Sequence, residues 1–169
     1  MSADDVRVTA YGAAMRERVL DLSIRAWSPV FATMRADLET GYVPRFVYDN
    51  FYPDGWKARQ REDLAQVLDR EADCCDVALV GEELAGWVCT RIHAEDSMGE
   101  VYILCVGPEY QRRGVGAALL KHAHARVRDA GMRMAMVETG GDAGHAPARA
   151  AYEAAGYVRW PVARYFKEL

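Results

Sequence analysis

No stretch of this 169-residue chain is apolar for the roughly 20 residues that a bilayer-spanning helix needs, so the sequence offers no transmembrane segment. The opening Met1-Ser2-Ala3-Asp4-Asp5 is acidic and lacks the basic-then-apolar pattern of a secretory leader. Positive charge is short as well: 21 Lys and Arg stand against 25 Asp and Glu, a net charge of -4. That balance excludes a protein working mainly by gripping nucleic-acid phosphate. There is no C-x-x-C pair, and none of Cys74, Cys75, Cys89 and Cys105 has a histidine at metal-ligand spacing. Reduced, largely buried thiols and no metal site are expected, in the cytoplasm and away from membranes. Repeats, low-complexity linkers and shifts of composition are missing too, so residues 1–169 are expected to form one domain.

What is present is an α/β pattern. Residues 6–10 read as a strand, and a helix over 13–26 carries Val19, Leu20, Ile24 and Trp27 at helical spacing. Pro29 is expected to interrupt it, with a second short helix over 30–38. Residues 41–55, crowded with aromatics, prolines and glycines, read as a loop, followed by a helix over 56–71. Strands are expected over 76–80 and 84–92 as a hairpin, with His93 in the loop after it. A further strand over 100–106 is apolar on both faces, as a covered central strand should be. A helix over 114–130, a strand over 133–139, a helix over 147–155 and a closing strand over 157–166 complete the order. The fold class is a mixed sheet with helices on both faces.

Chemistry concentrates in Val106-Gly107-Pro108-Glu109-Tyr110-Gln111-Arg112-Arg113-Gly114-Val115-Gly116-Ala117. This segment joins the end of a buried strand to the start of a long helix, whose first N–H groups have no internal partner and whose dipole favours an anion. Gly114 and Gly116 let phosphate oxygens approach the backbone, and Arg112 and Arg113 add charge. No Lys-Ser or Lys-Thr follows the glycines, which excludes a Walker A loop, and Leu119 stands where a dinucleotide fingerprint needs its third glycine. Taken alone, the turn is equally an ordinary helix cap with two solvated arginines.

Two motifs carry more. The run Q-R-R-G-V-G-A resembles the acyl-CoA signature of the GNAT superfamily of N-acyltransferases, and the lead-in Leu104-Cys105-Val106-Gly107-Pro108 resembles that family's strand and turn. The later run from His145 through Tyr152 to Gly156-Tyr157 resembles its motif N-x-x-A-x-x-x-Y-E-x-x-G-F, with His145 where the family commonly has asparagine. The resemblance implies a mixed, largely antiparallel sheet splayed between the fourth and fifth strands, through Val106 and Val137. Pantetheine of acetyl-CoA would lie in that gap along the main chain of Leu104, Cys105 and Val106. Residues 111–117 would wrap the pyrophosphate, and His145 would hydrogen-bond the same co-substrate. No metal is implied.

The resemblance also implies acetyl transfer to a primary amine by direct attack, with Tyr152 as the acid at the sulfur and Glu100 as the base. Partial burial would make Glu100 the better proton acceptor, while Glu138 on the neighbouring strand is the competing carboxylate. Direct attack needs no covalent intermediate, so Cys105 is expected to pack rather than react. The acceptor is not written in the motifs. Trp27, Phe31, Tyr42, Phe46 and Tyr52 either line an apolar or cation-binding slot or belong to the core, and Asp37, Glu39, Asp49, Asp54 and Asp142 either attract an amine or are solvated. A small-molecule amine is the favoured acceptor; a protein N-terminus or lysine, an inactive acyl-CoA-binding sensor and a homodimer stay open. His122 and His124, two apart on a helix, face different ways and make no metal pair.

Overall fold

A computed structural model describes residues 6–169; the acidic opening that argued against a leader lies outside the described residues. Four strands follow one another as an antiparallel meander, β1 (Val6–Ala10), β2 (Cys75–Val80), β3 (Glu83–His93) and β4 (Met98–Val106). The fifth, β5 (Met134–Met136), joins β4 in parallel. Gly81, at φ +60°, supplies the left-handed residue of the β2–β3 turn. The sheet is thus mixed, in the order β1-β2-β3-β4-β5.

Side-chain alternation along the strands divides the core in two. On one face α1 (Arg16–Thr40) and α3 (Trp56–Arg70) bury Val19, Leu20, Leu22, Leu64 and Leu68 against Val77, Trp87, Cys89 and Cys105. On the other, α4 (Val115–Asp129) and α5 (Ala146–Ala154) set Leu119, Leu120, Ala123 and Tyr152 against Ala78, Val88 and Val101. Trp87 is fully buried, and its indole N–H donates to Ser23 Oγ at 2.9 Å, which donates in turn to the Val19 carbonyl at 2.7 Å. A polar group in the core is thereby satisfied without water.

Four expectations need correction. Pro29 does not end the first helix: α1 runs through it, because Leu20 and Leu22 before the proline and Phe31 after it are all buried. Packing on both sides offsets the lost N–H, and Ser28 Oγ and Thr33 Oγ1 donate to the carbonyls of Ile24 and Pro29 at 2.8 and 3.1 Å. Residues 41–55 are not all loop, since α2 (Arg45–Phe51) forms with Pro44 at its N-cap, where a missing N–H costs nothing. β5 is shorter than the strand expected over 133–139. The closing strand over 157–166 is absent: Pro161 offers no N–H, and Val158, Trp160 and Val162 are exposed. The tail is tied elsewhere, by Arg164 to Glu138 at 2.6 Å and by the Phe166 ring on Phe51 at 5.9 Å.

The splay expected between the fourth and fifth strands is present. Pairing runs Met98↔Met134, Gly99↔Ala135, Glu100↔Met136 and stops, while β4 continues to Val106 with no β5 partner. This gap positions the site.

Candidate active site

At the end of β4 the chain turns through Pro108–Tyr110 and enters α4 at Gly114, which adopts φ +83° and gives no side-chain cap to the helix. The four first N–H groups of α4 are therefore free of side-chain competition. Arg112 is also left-handed, at φ +61°, an uncommon conformation for a residue with a Cβ. Alternating handedness of this kind turns successive N–H groups into a concavity that suits an anion. A Cβ added to Gly116 would meet nothing nearer than Val106 Cγ2 at 3.7 Å, so the packing of the chain itself does not demand glycine there. Arg112 makes no ion pair among the described residues, whereas Arg113 donates to the Glu109 carbonyl at 3.0 Å and lies near the Tyr110 ring. Gln111 reaches back to the Val106 carbonyl at 3.4 Å. Glu109, a carboxylate beside the turn, is held below its ordinary pKa by its own backbone N–H and then by Arg25 at 3.0 Å. The turn thus fits a diphosphate: it offers donors, a guanidinium with no ion pair among the described residues, and a neighbouring acid, Glu109, already paired with Arg25.

Tyr152, on α5, is buried in the cluster that includes Leu104, Val106 and Val137, on the two sides of the gap. Its ring meets Tyr157 edge-on at 5.9 Å. Its hydroxyl makes no hydrogen bond among the described residues. Burial, then the neighbouring Tyr157 and Cys105, push its pKa up to about 12, so the phenol keeps its proton at neutral pH. Cys105 is buried, and burial drives its thiol to about 12, which leaves it protonated and inert. The main chain of Leu104, Cys105 and Val106 lies on the part of β4 that β5 leaves unpaired. His145 caps the start of α5, its Nδ1 2.6 Å from Asp142 Oδ2. Burial would raise Asp142, but the His145 hydrogen bond and charge, with backbone N–H groups, outweigh it and hold the carboxyl below its ordinary value. Asp142 is therefore spent on His145 rather than left for an amine.

Glu100 stands at the last β4–β5 pair before the strands part, opposite Arg91 of β3. Its Oε2 is 2.8 Å from His93 Nε2, and its side chain is 16% exposed. His93 is the last residue of β3 rather than a loop residue, and its contact with Glu100 went unseen in the sequence; antiparallel pairing across the short 94–97 turn is the signal that brings the two together. Arg91 is held by Glu71 through two bonds of 2.7 Å and lies over the Tyr102 ring at 3.2 Å. Glu138, the competing carboxylate, is exposed and paired with Arg164. The aromatics divide: Phe31 is buried, stacked on Trp56 at 4.2 Å and edge-on to Tyr52 at 5.3 Å, while Tyr42 is exposed. One oxygen of Asp37 is buried without a partner. His122 pairs with Asp76 and His124 with Tyr157, so the two point apart.

A splayed β4–β5 pair, with an uncapped helix entered from the end of β4, is the architecture of an acyl-CoA-dependent transferase fold. Residues 37–157 match the Acetyltransferase (GNAT) family, and the chain belongs to it. The mycothiol acetyltransferase of Streptomyces coelicolor is 38% identical over 76 residues, 45% of this chain and 24% of that protein. Across its curated relatives, the aligned part spans about a quarter to half of their length, 24% to 49% in the cases of Streptomyces coelicolor and Arthrobacter sp.. Among solved structures, the paia N-acetyltransferase from Thermoplasma acidophilum, in complex with coenzyme A, superposes with a TM-score of 0.59 at 13% identity, over 89% of this chain and 87% of that one. The aminoglycoside acetyltransferase meta-AAC0020 from an uncultured soil metagenomic sample, in complex with sisomicin, gives a TM-score of 0.59 at 15% identity, over 98% and 97%. These two likenesses are of fold.

Proposed function

We propose that this chain is an N-acetyltransferase that moves the acetyl group of acetyl-CoA onto a primary amine of a small molecule by direct attack. The observation that carries the reading is the parting of β4 and β5 after Glu100, with the uncapped start of α4 just beyond the end of β4. The N–H groups of residues 114–117, with Arg112, hold the diphosphate. The main chain of Leu104, Cys105 and Val106 holds pantetheine, and a backbone N–H near Val106 polarises the acyl carbonyl. When bound, acetyl-CoA supplies an activated thioester. Glu100 takes the proton that the acceptor ammonium must lose, and Tyr152 holds a proton at the departing sulfur. Cys105 takes no part.

Tyr152 acts as a hydrogen-bond donor first and a proton donor second. With its pKa near about 12, full transfer to a thiolate of the usual ~8.5 is uphill by several units. A hydrogen bond to the developing thiolate needs no such transfer, and the proton follows as the thiol leaves. Among relatives and neighbours, a mycothiol acetyltransferase and an enzyme holding sisomicin both have names that favour a small acceptor.

The test is a mass-based screen of small amines and peptides with acetyl-CoA, read together with thiol release. Acetylated small amines are expected. Acetylation confined to peptide N-termini or lysines would shift the acceptor class, and coenzyme binding without thiol release from any amine would make the chain a sensor.

A further inference from the structure

We infer that His93 is a positioning residue for Glu100; the inference deepens the reading of Glu100 as the base and rests on it. Glu100 lies directly opposite Arg91, and His93 is two residues further along β3, so all three share one face of the sheet. Arg91 is the obvious partner for the carboxylate, yet Glu71 and the Tyr102 ring hold its guanidinium, leaving it 4.0 Å from Glu100 Oε2. His93 Nε2, at 2.8 Å, is the one group within hydrogen-bond distance of the carboxylate among the described residues. From β5 the paired residue is Met136, which carries no charge. The far side of the imidazole faces solvent, with Nδ1 4.0 Å from the exposed carboxylate of Glu95.

A carboxylate only accepts, so Nε2 carries the hydrogen and donates to Oε2. That bond fixes the carboxylate at the point where β4 and β5 part. Oε1 has no partner among the described residues and is left as the basic atom. Arg91, tied to Glu71 by two bonds of 2.7 Å, makes only a long 4.0 Å contact with Glu100 Oε2 and no hydrogen bond to it. Glu71 therefore belongs to the device at one remove: it keeps Arg91 away.

The test compares His93→Ala, His93→Gln and Glu100→Gln in thiol release with an amine that the screen finds turned over by the wild-type chain. Loss of the carboxylate's fixed orientation predicts roughly a tenfold lower kcat for His93→Ala, with KM for acetyl-CoA unchanged. His93→Gln, whose amide also donates, should restore most of the rate. Imidazole nitrogen shifts of the wild-type chain at pH 8 should report the Nε2–H tautomer. Full activity in His93→Ala, beside an inactive Glu100→Gln, overturns the role of His93 alone, as does an Nδ1–H tautomer. An active Glu100→Gln, or no amine turned over, removes the base reading and this inference with it.

Discussion

Removing one oxygen atom from Tyr152 should separate catalysis from folding. The side chain is buried, and its ring packs edge-on to Tyr157, so the Phe variant keeps the shape of the cluster that it fills. Its hydroxyl bonds to nothing else among the described residues, so deletion leaves no orphaned partner, and the stability change should stay within about 1 kcal/mol. In the proposed reaction the same hydroxyl meets a developing thiolate. A hydrogen bond to a charged group is worth about 1.5–3 kcal/mol, which predicts that kcat falls roughly 10- to 150-fold. KM for acetyl-CoA should move little, because the interaction forms as the sulfur departs. The assay is steady-state thiol release with an acceptor from the screen, beside thermal unfolding of both chains. Unchanged kcat, with chemistry shown to be rate-limiting, refutes the role. A large loss of Tm with a proportionate loss of activity refutes the claim that the hydroxyl is structurally idle.

Three more outcomes follow from the geometry. Gly86→Ala would drive a Cβ to 2.6 Å from the Cys105 carbonyl, a backbone atom that cannot step aside, so chemical unfolding should show a loss of about 1–3 kcal/mol; Gly116→Ala, with its nearest contact at 3.7 Å, should keep its stability and lose affinity for coenzyme A in calorimetry. The Arg91 hydrogen bond, opposed by burial and aided by charge, holds the Glu71 carboxyl below 4.5. The resulting stability is present above pH 4.5 and lost as pH falls through the lower folded value, and acid unfolding of Arg91→Ala should lack that step. Tyr152 has the opposite sign: its contribution is intact below pH 10 and lost as pH rises from 10.0 towards about 12. That rise corresponds to ~3 kcal/mol, so Tyr152→Phe should resist alkaline unfolding better than its parent.

Much of the fold was legible because periodicity and glycine placement agreed. Val115, Leu119, Leu120, Ala123 and Val127 repeat at helical spacing and all are buried, and Gly131 follows α4 at φ +77°. The uncapped turn into α4 was legible for the same reason, since a left-handed Gly114 is a local requirement. What failed depended on distant partners. Pro29 reads as a break until Leu22 and Phe31 are seen anchoring both sides, and alternation in residues 157–166 reads as a strand until no neighbouring edge takes it up. In the candidate site, Tyr152 and Glu100 were visible through motif and offset, whereas His93, Arg91 and Glu71 were not. Their association depends on strand register, including the irregularity between Cys89 and Thr90, and on where α3 ends. No spacing within one element encodes it.

The measurement that bears most directly on the account is an amide NMR titration of the full chain with coenzyme A. Saturable shifts should concentrate at residues 112–117 and 104–106, either side of the turn into α4. Shifts centred elsewhere, or none at all, would contradict the assignment of the diphosphate to that helix and of pantetheine to the open part of β4.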